Sequence, residues 1–358
     1  MTQLFFEIIQ VAIGNKDRIE TPLSNDELQG LFQLSCKHSI ASILLEGIEK
    51  IQTGIDKSQQ TLLLEWIGIQ LQTVSANQLQ NDRAKELCEL LTKAGYRNCI
   101  LKGQGTALYY DKPKIRQSGD IDIWVEGERD EILNFARRRG YDIPHIDIKH
   151  SDIVYFDDVP VEVHFMPSWM YNPKTNKRLQ SFFSGLSDKQ FENYDAEHGF
   201  THTTIDFDLV FSIVHIYRHI FSEGIGLRQL VDYYYILKRS TPELRNKAAE
   251  VLVSLRMASF VGGVMWILCS CFGMKKEFAL CPVNEAHGRF LLSEILTAGN
   301  FGQYDDRMKR IDVEKRLERG FVQLKRNLRF VMFYPSEVLW SPFWKLWHWG
   351  WRKKKGYL

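Results

Sequence analysis

Hydrophobic and polar positions change texture twice along this 358-residue chain. Over residues 1–95 apolar side chains recur at helical spacing, in LFFEIIQVAI, in NDELQGLF behind an N-cap at Ser24 or Asn25, and in a long amphipathic run from about Gln59 to Lys93 that Gly95 ends. From Asn98 short runs of strand type alternate with helical ones: CILKG, GQGTALYY, GDIDIWV, ERDEILNFARRRG, then DIVYF and VPVEVHF around the turn residues Asp157 and Asp158. After about residue 200 the helical period returns in DFDLVFSIVHIYRHIF, RQLVDYYYILKR, PELRNKAAEVLVSLRMASFVGGVMWILC and RMKRIDVEKRLERGFVQLKRNLRF. The pattern predicts an α+β protein: an N-terminal helical region over 1–95, a small α/β core over 96–200, and a larger C-terminal helical domain over 201–358 with a basic, Trp-rich tail. No repeat at a fixed period and no low-complexity segment interrupts it.

Composition fits an ordinary soluble globular protein: 46 Lys and Arg stand against 44 Asp and Glu, and 44% of residues are hydrophobic. The six cysteines (36, 88, 99, 269, 271 and 281) lack CxxC spacing, which predicts reduced thiols in a cytoplasmic protein and no zinc or disulfide framework. The N-terminus shows no basic region ahead of an apolar stretch, so no export peptide is expected. The longest apolar stretch, Met257 to Cys271, falls short of the ~20 residues that span a bilayer and reads as a buried helix. Charge is uneven: residues 301–358 hold 14 basic and 6 acidic side chains, and five of the nine tryptophans (340, 344, 347, 349 and 351) lie in that stretch.

The candidate chemistry begins at Gly119-Asp120-Ile121-Asp122-Ile123-Trp124-Val125. In an extended strand successive side chains alternate faces, so Asp120 and Asp122 share one face while Ile121, Ile123 and Val125 enter the core. Neighbouring carboxylates repel and call for a cation or a shared proton. Oxygen ligands of this kind favour Mg²⁺ or Mn²⁺. Val159-Pro160-Val161-Glu162-Val163-His164-Phe165 offers a third acid, Glu162, by the same alternation. If the two strands are neighbours, the three carboxylates suit a pair of cations about 3.5–4 Å apart, which activate an attacking oxygen and stabilise a leaving group in phosphoryl or nucleotidyl transfer. The plainer reading of Asp-x-Asp is an edge strand with one face in water. Upstream, Lys102-Gly103-Gln104-Gly105-Thr106 joins a strand end to a helix start, where backbone N–H groups, a helix N-terminus and a lysine would gather round an anion. The GxxxxGK[ST] spacing of a Walker A loop is absent, and a turn that needs glycine for geometry alone is the alternative.

Together these residues resemble the DNA polymerase β-like nucleotidyltransferase superfamily, most closely its branch of uncharacterised bacterial nucleotidyltransferases. Lys102-Gly103, Tyr109 or Tyr110, Arg116, Asp120-Ile121-Asp122 and Glu162 carry the resemblance, which covers residues 95–170 and extends more weakly over 205–240. It implies a small mixed-sheet nucleotidyltransferase core and a metal-dependent enzyme that moves an NMP from an NTP to an acceptor hydroxyl with release of pyrophosphate. Asp120 and Asp122 would bind the metals shared with the nucleotide phosphates. Glu162 would bind the metal that activates the acceptor hydroxyl, or itself deprotonate that hydroxyl. Lys102 and the Gly103 amide would hold the β- and γ-phosphates and Arg116 would neutralise charge developing on them; Gln104 stands in this nucleotide-binding loop where the superfamily has Ser. The acceptor, whether small molecule, RNA or protein, has no readable code. The alternative is a non-catalytic module of the same fold that binds RNA or a protein partner.

Several features stand outside this set. His215 and His219, at i, i+4, read as helix-face or core histidines, with a shared metal as the alternative. Arg228 and Asp232 have the spacing of a helix ion pair, with a role facing the substrate cleft as the alternative, and His164 shares its strand face with Glu162. The basic helix expected from Arg307 to Arg329 keeps Leu317, Phe321, Leu324 and Leu328 on one stripe, so its charges read as a solvated face, with nucleic-acid contact as the sharper alternative. Trp340, Trp344, Trp347 and Trp351 fall on one helix face, expected to dock on the protein's own core or on a second subunit; a membrane surface or an acidic partner is the alternative.

Overall fold

The computed structural model describes residues 1–19, 22–51, 57–307 and 325–357. The first helical stretch becomes α1 (Thr2–Ala12), α2 (Asn25–Lys37), α3 (Ala41–Ile51) and the 37-residue α4 (Lys57–Lys93). Ser24 starts α2 with a capping box: its hydroxyl accepts from the Glu27 N–H while the Glu27 carboxylate accepts from the Ser24 N–H.

A small mixed sheet follows, made of β1 (Asn98–Ile100), β2 (Ile121–Val125), β3 (His145–Ile146), β4 (His150–Asp152) and β5 (Val161–His164), in the order β1-β2-β5-β4-β3. Only β2 and β5 run parallel; the remaining pairs are antiparallel. Between β1 and β2, at the expected helix start, lies α5 (Gln104–Ala107), a single turn. After β2 comes α6 (Arg129–Arg138), and the crossover through α6, β3 and β4 carries the chain back to β5. The DIVYF strand is displaced: its pairing residues are His150–Asp152, and β3 is an added strand without an apolar run.

The remainder is helical: α7 (Pro173–Glu192), a two-stranded ribbon of β6 (Tyr194–Asp195) and β7 (Phe200–Thr201), α8 (Ile205–Ser222), α9 (Arg228–Arg239), α10 (Pro242–Ser254), α11 (Ala258–Ser270), α12 (Glu285–Ala298) and α13 (Pro335–Lys355). The architecture is α+β, a small sheet flanked by helices. Leu317, Phe321 and Leu324 of the expected basic helix lie outside the described residues.

The sheet divides the buried apolar side chains into two clusters. Ile100, Ile121, Ile123, Val125, Val161 and Val163 pack against Leu87 and Leu91 of α4 and Ile132, Leu133 and Ala136 of α6. From the other face Cys99, Leu101 and Trp124 enter a larger cluster that joins α1–α3 to α7–α12. Trp124 lies 4.6 Å from Phe191 and 6.0 Å from Phe207, ring to ring. The Trp stripe of α13 splits. Trp344 packs on Trp169 and Tyr171, and Trp351 lies beneath Arg129, while Trp340 and Trp347 stay exposed, because the docked face centres on Glu337, Ser341, Trp344 and His348.

Candidate active site

Strand register assembles the polar face. Asp122 stands opposite Glu162 and Trp124 opposite His164 across the parallel pair; on the far side of β5, Asp152 stands opposite Glu162 and His150 opposite His164. The alternation expected for Asp120, Asp122 and Glu162 holds, and every intervening residue of β2 and β5 enters the smaller apolar cluster. One carboxylate oxygen each from Asp120, Asp122 and Glu162 lie within 4.8 Å of one another, as do one ligand atom each from His150, Glu162 and His164. Glu162 is common to both groups. The first set, all oxygen, suits Mg²⁺ or Mn²⁺; the second mixes nitrogen with oxygen.

Asp122 is almost wholly buried, and each of its oxygens meets a cation. Lys102 Nζ lies 2.8 Å from Oδ2, and His164 Nε2 lies 2.9 Å from Oδ1. The same His164 nitrogen is 3.4 Å from Glu162 Oε2, with His150 Nδ1 3.8 Å from that oxygen. Burial opposes the Lys102 ammonium, but the charges of Asp122, Asp120 and Glu162 outweigh it and hold its pKa above the usual value. Burial also opposes the His164 imidazolium, yet the hydrogen bonds with Asp122 and Glu162 raise its pKa to about 9. Burial, aided by the neighbouring charges of His164 and Lys149, pushes His150 down to about 3. Glu162 resists its own burial: the His164 hydrogen bond and the nearby His150 hold it below the ordinary carboxylate range.

Lys102, Gly103, Arg116, Asp120 and Asp122 line one cleft with His215, Arg228 and Asp232, over Phe211, Ile216 and Phe301. Gly103 has φ +63°, a conformation that a side chain would strain, and this turn carries Lys102 to Asp122. Gln104 faces elsewhere, its amide donating to Asn77 Oδ1 at 3.2 Å. Arg116 is engaged by Asp232 in a buried two-pronged pair, Nε to Oδ1 at 2.7 Å and Nη2 to Oδ2 at 2.9 Å, while the Tyr110 hydroxyl donates to the same Oδ1. The expected Arg228–Asp232 helix pair is therefore replaced. Arg228 instead donates to the Gln117 carbonyl at 2.7 Å, and its Nε is buried without a hydrogen-bond partner. The His215 and His219 rings meet at a tilt of 56° with centroids 4.2 Å apart, and they join none of the metal-capable groups among the described residues.

Sequence reasoning missed the side chains that set the loop before Asp120. Asn77 of α4 donates to the carbonyls of Lys114 and Arg116 at 2.8 and 2.7 Å, and Gln80 donates to that of Gly119. Their signal is a pair of amides at i, i+3 on the buried side of an amphipathic helix. His150 and Asp152 were also missed, although His150-Ser151-Asp152 repeats the polar–buried–polar alternation of Asp120-Ile121-Asp122.

A small mixed sheet with two acids at one strand and a third on its parallel neighbour is the layout of a nucleotidyltransferase core as the sequence resemblance implies it. Residues 24–273 match the family described as uncharacterised nucleotidyltransferase, and the chain belongs to that family. No curated protein matches the sequence.

Proposed function

We propose that the chain is a metal-dependent enzyme that transfers an NMP from an NTP to an acceptor hydroxyl and releases pyrophosphate. The observation that carries this reading is the convergence of Asp120, Asp122 and Glu162 within 4.8 Å, the first two at the start of β2 and at the wall of a cleft, the third on the parallel neighbour β5. Mg²⁺ or Mn²⁺ held there would supply charge neutralisation at the phosphates and a more acidic acceptor hydroxyl. Lys102, which pairs with Asp122 at the cleft wall, would hold phosphate oxygens. Arg228 shares that wall and keeps one guanidinium nitrogen uncommitted, whereas Arg116, committed to Asp232, acts by fixing the loop that leads to Asp120. Glu162, on the other side of Asp122 from Lys102, is the carboxylate nearest to accept the acceptor proton. In this proposal residues 96–200 carry the chemistry, the helices of 201–358 wall the cleft and choose the acceptor, and α4 braces the loop before Asp120.

The test is incubation of purified protein with α-labelled NTPs, Mg²⁺ or Mn²⁺ and cell extract. Wild type should transfer label, and Asp120→Asn with Asp122→Asn should lower transfer at least about a hundredfold, a loss of the size expected when transition-state charge stabilisation is removed. Undiminished labelling by that variant would sink the reading. One observation favours a second reading, a non-catalytic module binding RNA or protein: Lys102 and His164 already offset Asp122 without an added ion. Calorimetry separates the two, since the module predicts no heat on mixing with an NTP and Mg²⁺.

A further inference from the structure

The side of α13 turned away from the body is apolar along its length. Leu339, Phe343, Leu346 and Trp347 follow one another at helical spacing, with Trp340 alongside; Phe343 and Leu346 are each 69% exposed and Trp347 is 53% exposed. Met332, shortly before the helix, is 91% exposed. The opposite side is fastened down: Glu337 accepts from the backbone N–H groups of Tyr171 and Asn172 at 2.7 and 3.2 Å, His348 Nε2 lies 3.2 Å from Asp147 Oδ1, and Lys355 reaches Asp130 at 3.1 Å. The helix thus lies along the protein surface with its apolar side outward, and it ends in Arg352-Lys353-Lys354-Lys355. It also lies outside the residues that match the nucleotidyltransferase family.

We propose that α13 docks the protein on an anionic lipid bilayer, lying in the plane of the interface. Leu339, Phe343 and Leu346 would enter the acyl boundary, Trp340 and Trp347 would sit at headgroup depth, and Lys353 and Lys354 would face the acidic headgroups. The charge pattern selects a bilayer over a second copy of the same face. Glu337 is the one carboxylate of α13 and is buried, so a second α13 offers nothing to the basic run, whereas anionic lipid supplies both an apolar layer and negative charge. Among the described residues no helix is long and apolar enough to cross a membrane, so the attachment is peripheral. This inference does not depend on the catalytic reading.

The experiment is co-sedimentation of the full chain with vesicles of phosphatidylcholine alone and of phosphatidylcholine mixed with phosphatidylglycerol. Wild type should partition at least about tenfold better onto the mixed vesicles, with a blue shift of tryptophan emission. Phe343→Glu with Leu346→Glu, both at exposed positions, should lower that partitioning at least about tenfold, and Lys353→Glu with Lys354→Glu should remove the preference for phosphatidylglycerol. Circular dichroism checks that each variant keeps its fold. The proposal is overturned if wild type stays in the supernatant with both vesicles, or if the Phe343/Leu346 variant sediments as well as wild type. Light scattering that shows a dimer dispersed by the same substitutions, without vesicle binding, would overturn it in favour of a second copy.

Discussion

Asp208 carries a titration that bears on stability. It is fully buried near the start of α8; its Oδ2 accepts the Tyr109 hydroxyl at 2.8 Å, and its Oδ1 has no hydrogen-bond partner. Burial pushes its pKa up to about 7 against the opposing effect of the Thr203 and Tyr109 hydroxyls. In the unfolded chain the same carboxyl ionises near ~4. The folded pKa is thus the higher one, so the contribution of the protonated acid is complete below pH ~4 and is lost as pH rises from about 4 to about 7, a change on the order of 4 kcal/mol. Asp208→Asn removes the titration, so the melting temperature of the variant relative to wild type should climb across that interval and level off above it. A difference that does not vary with pH would refute the assignment.

Among elements, the pair of Arg116 with Asp232 fastens the loop before β2 to α9. Removing one partner strands a buried charge, so Asp232→Ala should cost about 3–5 kcal/mol in urea unfolding. Arg116→Met combined with Asp232→Leu should cost less than Asp232→Ala alone. This pair also shows where sequence reading stops. Alternation within a strand is a local rule, which is why Asp120, Asp122 and Glu162 were legible as one-faced acids. The i, i+4 rule is equally local, and it pointed Asp232 at Arg228; the partner that prevails is 116 residues away in sequence and makes two aligned hydrogen bonds. Strand order has the same character. Nothing in VPVEVHF specifies that it lies beside GDIDIWV in a register that sets Glu162 against Asp122, nor that His150 and Asp152 line up beyond it.

Taken whole, the molecule is two apolar clusters back to back across a small sheet, with Asp120 and Asp122 beside the larger one left to the cleft. Ile123 belongs to one cluster and Leu230 to the other. Each change to Ala should cost about 2–5 kcal/mol, and the double variant should cost the sum within about 0.5 kcal/mol, measured by urea unfolding. A shortfall well beyond that margin would mean that the clusters are coupled through the sheet. One element already joins them. α4 puts Trp66 into the larger cluster and Leu87 and Leu91 into the smaller, and between those ends Asn77 and Gln80 grip the loop that presents Asp120. A helix of 37 residues, about 55 Å long, running unbroken through both works as a splint. Strain that bends the splint is passed through Asn77 and Gln80 near its midpoint to the loop that presents Asp120.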